Sequence, residues 1–235
     1  MNDTYHCALS GEGALKYATE HGFPTCDPDY LVTRRAERLK SVAYSDFPGY
    51  VRHRLGRPAY ETESLKETDS ADPENKETKE TKETKETKVT KGALGSDTVS
   101  AVARDASGRL ACAVSTGGIP GSLKGRVSDA AMVGCGGYAN EHGAATTSGQ
   151  GELLMKMTLA REVVYMMESG RNAQDAAENA LRKMEKKFGQ DSGVGGVIAI
   201  DKEGNFGKAF TTAMMGWVSI KNNETEQGFD HNMGM

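Results

Sequence analysis

Residues 97–114 have the sequence DTVSAVARDASGRLACAV, in which a predicted β-hairpin follows a long hydrophilic segment. Small apolar residues at the odd positions from Val99 to Ala103 alternate with the side chains at even positions, as in a strand with two different faces. The residues Asp105-Ala106-Ser107-Gly108 predict a turn, and Leu110 begins the returning strand. We therefore predict that an ordered domain begins near residue 98 with two antiparallel strands.

Two amphipathic helices and a second hairpin are predicted further along the chain. Apolar residues recur at helical spacing within 151–169, and residues 172–188 repeat that pattern. Strands at 197–200 and 206–212, joined by a turn at 201–205, form the second hairpin. Because strands and helices occupy separate parts of the sequence, their order predicts a layered α+β fold.

The segment before the first hairpin has the composition of a solvated linker. Residues 61–91 contain ten acidic and seven basic side chains but only three apolar ones, and the triplet Lys-Glu-Thr repeats in register through residues 76–87. A segment with so little apolar surface cannot offset the entropy that ordering would cost. We therefore predict a mobile linker over residues 61–97.

The global composition argues against several classes of protein. The chain has 235 residues and a net charge of −4, so no overall field attracts nucleic acid, and we expect no nucleic-acid partner. No stretch reaches the roughly 18–20 apolar residues of a membrane span, and the polar first residues lack a signal-peptide core. We therefore expect a cytoplasmic protein with no membrane partner. The five histidines are isolated, so no metal site is expected. No cofactor is expected either.

Hydroxyl and glycine residues cluster in four short segments, namely Gly95–Val99, Ser115–Gly118, Gly125–Asp129 and Ser148–Glu152. Arg126 and Asp129 add a cation and an anion, so the segments together would suit a small zwitterion, with hydroxyl and backbone donors for an oxyanion. Each residue also has a plainer interpretation, in which Arg126 and Asp129 form a surface ion pair, Thr98 is a strand residue and Ser148 caps a helix. Composition alone leaves both interpretations open.

The order of these segments resembles the threonine-type N-terminal nucleophile hydrolases of the plant-type L-asparaginase and isoaspartyl peptidase family, to which threonine aspartase also belongs. The sequence DTVSAVA at residues 97–103 is similar to the start of that family's β subunit. The segments that begin at Ser115, Gly125, Gly134 and Ser148 follow in the family's order and at similar spacing. The resemblance implies an αββα sandwich.

The resemblance also implies a self-processing enzyme. The hydroxyl of Thr98 would attack the carbonyl of Asp97, and the chain would be cleaved between these two residues. The freed α-amine of Thr98 would act as general base, with Thr116 supporting the nucleophile. The implied activity is that of an amidohydrolase, which hydrolyses asparagine or isoaspartyl peptides through a threonyl acyl-enzyme.

Substrate-binding roles follow from the same resemblance. Arg126 would hold the α-carboxylate of the substrate and Asp129 its α-ammonium group. Ser148 and Gly149 would supply oxyanion donors, and Gly151 would line the pocket through its backbone. A small-molecule substrate is therefore the first expected partner.

Applied to the whole chain, the resemblance divides it into three parts. Residues 1–60 correspond to a C-terminal remnant of the α-subunit region, residues 61–97 to a linker that ends at the self-cleavage junction, and residues 98–235 to the β-subunit region. The family's first strand and its glycine-rich HGGAG-like segment have no counterpart here. We therefore expect a sandwich that is incomplete at its N-terminal side, in a truncated or alternatively started chain.

Two alternatives stay open. A threonine aspartase-like endopeptidase is one, because Ala160-Arg161-Glu162 also resembles that relative. A non-catalytic truncated form that associates with a full-length relative is the other. The expected protein partners are accordingly further processed copies of this chain, in a homo-oligomer, or a full-length relative.

Overall fold

The computed structural model of the protein describes residues 8–32, 37, 98–119, 122–189, 194–212 and 214–231. The predicted linker over 61–97 lies outside these residues, and so does the proposed junction residue Asp97. The boundaries of the three predicted parts of the chain therefore stay predictions.

The strands of the described residues form three antiparallel sheets. The first is a hairpin of β1 (Val99–Arg104) and β2 (Leu110–Ser115); the second has the order β3 (Gly137–Ala139), β4 (Gly143–Gly149), β5 (Gly195–Asp201), β6 (Phe206–Phe210); the third pairs β7 (Met214–Lys221) with β8 (Glu224–His231). Both predicted hairpins are confirmed. The sequence analysis missed β3, β4, β7 and β8.

The α-helices of the described residues are α1 (Gly11–Glu20), α2 (Gly151–Met157), α3 (Leu159–Glu168) and α4 (Ala173–Phe188). The prediction of a single helix over 151–169 is wrong in one respect. Thr158 adopts a left-handed conformation, with φ 46° and ψ 51°, and separates α2 from α3. No helix in the described part of the chain is both long enough and apolar enough to span a membrane.

The hydrophobic core lies between the helices and one face of the four-stranded sheet. The sheet contributes Ala145, Val197 and Ala199, which alternate with residues on its other face. The helices contribute their buried apolar faces, with Leu154, Leu159, Val163, Val164, Leu181 and Met184 among the core residues. Both predicted amphipathic patterns therefore point into one core.

The β1–β2 hairpin packs on the opposite face of this sheet, where it contacts β4 and β5. Helices, four-stranded sheet and hairpin thus form three successive layers, and the predicted α+β class is confirmed. The outward face of β1 carries Val99, Ala101 and Ala103, and all three are exposed. Completeness or incompleteness of an αββα sandwich at the N-terminal side stays a prediction.

Candidate functional site

A hydrogen bond between two layers aligns the candidate nucleophile with β4. Thr98 immediately precedes β1, and on β1 the hydroxyl of Ser100 accepts a hydrogen bond of 2.9 Å from Thr146 Oγ1 of β4. Residues two apart on a strand share a face, so Thr98 lies on the same face as Ser100. In the same way, Ser148 lies on the same face of β4 as Thr146. The two layers therefore present Thr98 and Ser148 to the same space between them.

That space is a cavity of about 770 Å³. Thr98, Ser148 and Gly149 line it together with further hydroxyl residues of β1 and β4. The β7–β8 hairpin supplies an apolar wall that includes Met214, Met215, Trp217, Val218 and Phe229. The volume falls within the roughly 300–1,000 Å³ that is typical of small-molecule sites.

Thr116 lies at the same end of the β1–β2 hairpin as Thr98. The register pairs Val99 with Ser115, and its extension by one residue places Thr116 opposite Thr98. The hydroxyl of Thr116 accepts a hydrogen bond of 3.1 Å from the backbone N–H of Gly118, which shapes the turn after β2. The hairpin therefore brings together the two threonines that the resemblance assigns to catalysis.

A second cluster, the charged cluster, consists of Arg126, Ser128, Asp129 and Glu152. Arg126 Nε donates to Glu152 Oε1 at 2.7 Å, and Arg126 Nη2 donates to Ser128 Oγ at 3.1 Å. Ser128 Oγ in turn donates to Asp129 Oδ1 at 2.8 Å. The four side chains thus form one continuous chain of hydrogen bonds.

Asp129 is the buried member of this cluster, with only 7% of its surface exposed. It begins a short 3₁₀ turn, Asp129–Ala131, and its backbone oxygen accepts a hydrogen bond of 2.9 Å from Gly136 N–H. Burial raises the pKa of Asp129, while hydrogen bonds from Ser128 and from backbone N–H groups and the charge of Arg126 oppose that rise. The site therefore holds a carboxylate that is costly to charge and is supported by specific donors.

Arg126 and Glu152 differ in their exposure to solvent. The side chain of Arg126 is 15% exposed and that of Glu152 is 48% exposed. The hydrogen bond from Arg126 lowers the pKa of Glu152, and burial partly opposes this shift. Glu152 and Ser128 thus hold the Nε and Nη2 atoms of the guanidinium.

Two glycines fit closely at the join between the cavity and the charged cluster. A Cβ at Gly151 would lie 1.8 Å from Ser128 Oγ, and a Cβ at Gly149 would lie 2.5 Å from the backbone oxygen of Val194. Any other residue at either position would displace its neighbours. Ser148 and Gly151 are three residues apart, which limits their separation to about 11 Å.

The structure thus places seven of the eight predicted site residues in two adjoining groups, and the eighth, Asp97, lies outside the described residues. Thr98, Ser148 and Gly149 line the cavity, with Thr116 opposite Thr98; Arg126 and Asp129 belong to the charged cluster, and Gly151 packs against it. Two of the plainer interpretations are wrong. Ser148 lies within β4 while Gln150 is the N-cap of α2, and the ion pair of Arg126 is with Glu152.

Sequence reasoning gave no role to Ser128, to Glu152 or to the apolar wall. Ser128 and Glu152 stand inside quoted segments, but only the folded chain shows that both contact Arg126. The wall was missed because β7 and β8 were not predicted. Among the residues that the structure describes, no three His, Cys, Asp or Glu side chains group as metal ligands.

The chemistry available is therefore that of hydroxyl groups in a cavity and of an arginine and an aspartate in the adjoining cluster. One wall of the cavity offers threonine and serine hydroxyls at a strand end. The adjoining cluster offers a guanidinium and a buried carboxylate, held apart by a serine hydroxyl. This arrangement suits a small ligand that carries both a carboxylate and an ammonium group.

Comparison with known proteins gives consistent matches. A family model described as asparaginase matches residues 1–229. The isoaspartyl peptidase/L-asparaginase of Mus musculus is 33% identical over 231 residues, a match that covers 98% of this chain and 58% of the mouse protein. Proteins of the same name from Bos taurus and Homo sapiens are 36% and 32% identical, and each match covers 98% of this chain and 62% of the relative. The chain thus spans about six-tenths of the length of these relatives.

Proposed function

The chain belongs to the asparaginase family, and on this premise we propose that it is an amidohydrolase of the L-asparaginase/isoaspartyl peptidase type. Its substrates would be asparagine or isoaspartyl peptides, and its active form would arise by self-cleavage before Thr98. The observation that carries the proposal is the position of Thr98. It immediately precedes β1 and lines a cavity with Ser148 and Gly149. Gly151, two residues after Gly149, packs against the charged cluster.

Self-cleavage would begin at the peptide bond between Asp97 and Thr98. The Thr98 hydroxyl adds to the Asp97 carbonyl, the C–N bond breaks, and an ester to Thr98 Oγ forms while the nitrogen becomes the α-amine. Water then hydrolyses the ester, which leaves a C-terminal carboxylate on Asp97 and a free amine on Thr98. An α-amine has a pKa of about 7.7–8.0, which suits a general base near neutral pH.

Turnover would use the same hydroxyl. The α-amine takes the proton of the Thr98 hydroxyl. The Oγ atom then attacks the side-chain carbonyl of asparagine or the isoaspartyl carbonyl. Donors at Ser148 and Gly149 would stabilise the oxyanion until the C–N bond breaks. The protonated α-amine would give its proton to the leaving nitrogen, which departs as ammonia or a peptide amine. Water then attacks the acyl-enzyme and releases aspartate.

The charged cluster would orient the substrate for this attack. Arg126, which Glu152 holds through Nε, would bind the α-carboxylate, and Asp129 would bind the α-ammonium group. Thr116, opposite Thr98 in the hairpin register, would support the nucleophile. These roles rest on the match between the family's motif and the geometry of these residues.

The endopeptidase alternative receives no support from the residues that suggested it. Ala160 is buried in the core, and Arg161 stacks between Tyr138 and Tyr165. Glu162 pairs with Lys183 of α4 at 2.6 Å. None of the three residues lines the cavity.

Mass spectrometry of the purified full chain after incubation tests the proposal. We expect two polypeptides divided between Asp97 and Thr98, together with ammonia release from asparagine or aspartate release from an isoaspartyl dipeptide. Thr98→Ala is expected to stay uncut and inactive, whereas Thr98→Ser should retain measurable cleavage because it keeps the hydroxyl. A wild-type chain that stays whole and turns over neither substrate refutes the proposal. Co-purification of such an inert chain with a full-length relative would favour the non-catalytic alternative.

A further inference from the structure

Ser128 lies between the two charges that would bind the substrate. Its hydroxyl accepts from Arg126 Nη2 at 3.1 Å and donates to Asp129 Oδ1 at 2.8 Å. A hydroxyl has a single proton, which Ser128 donates to the carboxylate of Asp129. Its oxygen lone pairs then accept from the guanidinium of Arg126. Ser128 is therefore a polar spacer between Arg126 and Asp129, and the donor and acceptor roles of its hydroxyl are fixed.

Packing holds this spacer in place. A Cβ at position 151 would lie 1.8 Å from Ser128 Oγ, so the hydroxyl occupies space that exists only because residue 151 is glycine. Glu152, the next residue of α2, holds the Nε side of Arg126 at 2.7 Å. The start of α2 thus fixes both the serine hydroxyl and the guanidinium that it contacts.

We propose that Ser128 is a positioning residue, which sets the relative placement of Arg126 and Asp129 and so selects ligands with both an α-carboxylate and an α-ammonium group. The proposal rests on the function proposed above, since that function supplies the ligand class. Ser128 would act through its two neighbours and would not itself contact the reacting atoms.

The hydroxyl also helps to keep Asp129 charged. Burial raises the pKa of Asp129, and the hydrogen bond from Ser128 is the largest contribution in the opposite direction. Among the described residues, Arg126 and the thiol of Cys135 also interact electrostatically with Asp129. Loss of the hydroxyl would therefore leave an acceptor for the ligand's ammonium group that is harder to ionise.

Calorimetric titration of the full chain with L-aspartate and with succinate tests the proposal. Succinate retains the two carboxylates of aspartate but lacks its ammonium group, so it depends on Arg126 but not on the pairing of Arg126 with Asp129. Ser128→Ala is expected to weaken L-aspartate binding about tenfold, the effect of losing one hydrogen bond to a charged group, and to leave succinate binding within about twofold. In this variant, the loss of L-aspartate affinity on acidification should also occur at a higher pH than in the wild type.

Two variants control for a merely structural effect. Ser128→Thr keeps the hydroxyl, and the extended backbone at residue 128, with φ −125° and ψ −177°, accommodates a β-branched side chain. It should bind L-aspartate within about threefold of wild type. Ser122→Ala removes a hydroxyl from the same loop, one that donates to the backbone oxygen of Ile119 at 2.7 Å, and should leave the binding of both ligands unchanged.

The outcomes separate this proposal from the proposed function. Equal loss of L-aspartate and succinate binding in Ser128→Ala, or no loss of either, overturns the positioning role. A wild-type chain that does not bind L-aspartate also overturns it. If L-aspartate binding depends on Ser128 while asparagine and isoaspartyl peptides are not hydrolysed, the positioning role stands and the hydrolase proposal fails.

Discussion

Gly151→Ala is expected to destabilise the protein by about 2–5 kcal/mol. A Cβ at this position would lie 1.8 Å from Ser128 Oγ and 2.6 Å from Asp129 Oδ1. Relief of the clash requires the hydroxyl to rotate and to lose its hydrogen bonds to two charged groups, each worth about 1.5–3 kcal/mol. The greater helix propensity of alanine offsets only about 0.5–1 kcal/mol of this loss.

Urea unfolding of the full chain, followed by circular dichroism, measures this effect. Gly13→Ala is a matched control, because Gly13 also lies in the first turn of a helix and a Cβ there would meet nothing within 4 Å. We expect the control to unfold at an unchanged or higher urea concentration. An unfolding midpoint for Gly151→Ala that equals that of wild type would show that the charged cluster is not packed as described.

Two further substitutions test the charges through their pH dependence. Asp129→Asn should raise stability at pH 7 and abolish L-aspartate binding. Because the folded pKa of Asp129 is raised, the wild type loses stability as pH rises from about 3.8 through the folded pKa. Thermal unfolding should therefore show a more stable variant at pH 7 and no difference below pH 3.8. Glu152→Gln should lower stability at pH 7 by less than about 1 kcal/mol, since the pair with Arg126 is partly exposed. Because the folded pKa of Glu152 is lowered, that difference should shrink as pH falls below about 4.5, and a difference that grows would contradict the assignment.

Periodicity predicted those parts of the fold whose strands or helices have one buried and one exposed face. β2, whose half-buried and exposed residues alternate, and α4 are examples. The alternation in β1 also predicted a strand, although its apolar residues Val99, Ala101 and Ala103 lie on the exposed face. β4 was missed because its first five residues are all buried, so its sequence GAATTSG shows no alternation. β3 is only three residues long, too short for any period to appear.

The candidate site was predicted through its motifs and not through its contacts. Family order identified Thr98, Arg126 and Asp129, each of which stands in a recognisable segment. The contact between Ser100 and Thr146 joins residues 46 positions apart, and that between Arg126 and Glu152 joins residues 26 apart. Contacts of this kind depend on how layers stack, and no local pattern in the sequence encodes them.

The left-handed residue between α2 and α3 has a structural use beyond ending a helix. In an unbroken helix, the backbone N–H groups of residues 160 and 161 would bond carbonyls one turn earlier. Here they bond the carbonyl oxygens of Cys135 and Gly134 instead, at 3.4 and 2.9 Å. The next residue of that loop, Gly136, donates to the backbone oxygen of Asp129. The left-handed conformation of Thr158 therefore interrupts the helix and frees backbone N–H groups to bond a distant loop. Through that loop, the break also helps to hold the buried carboxylate of Asp129 in place.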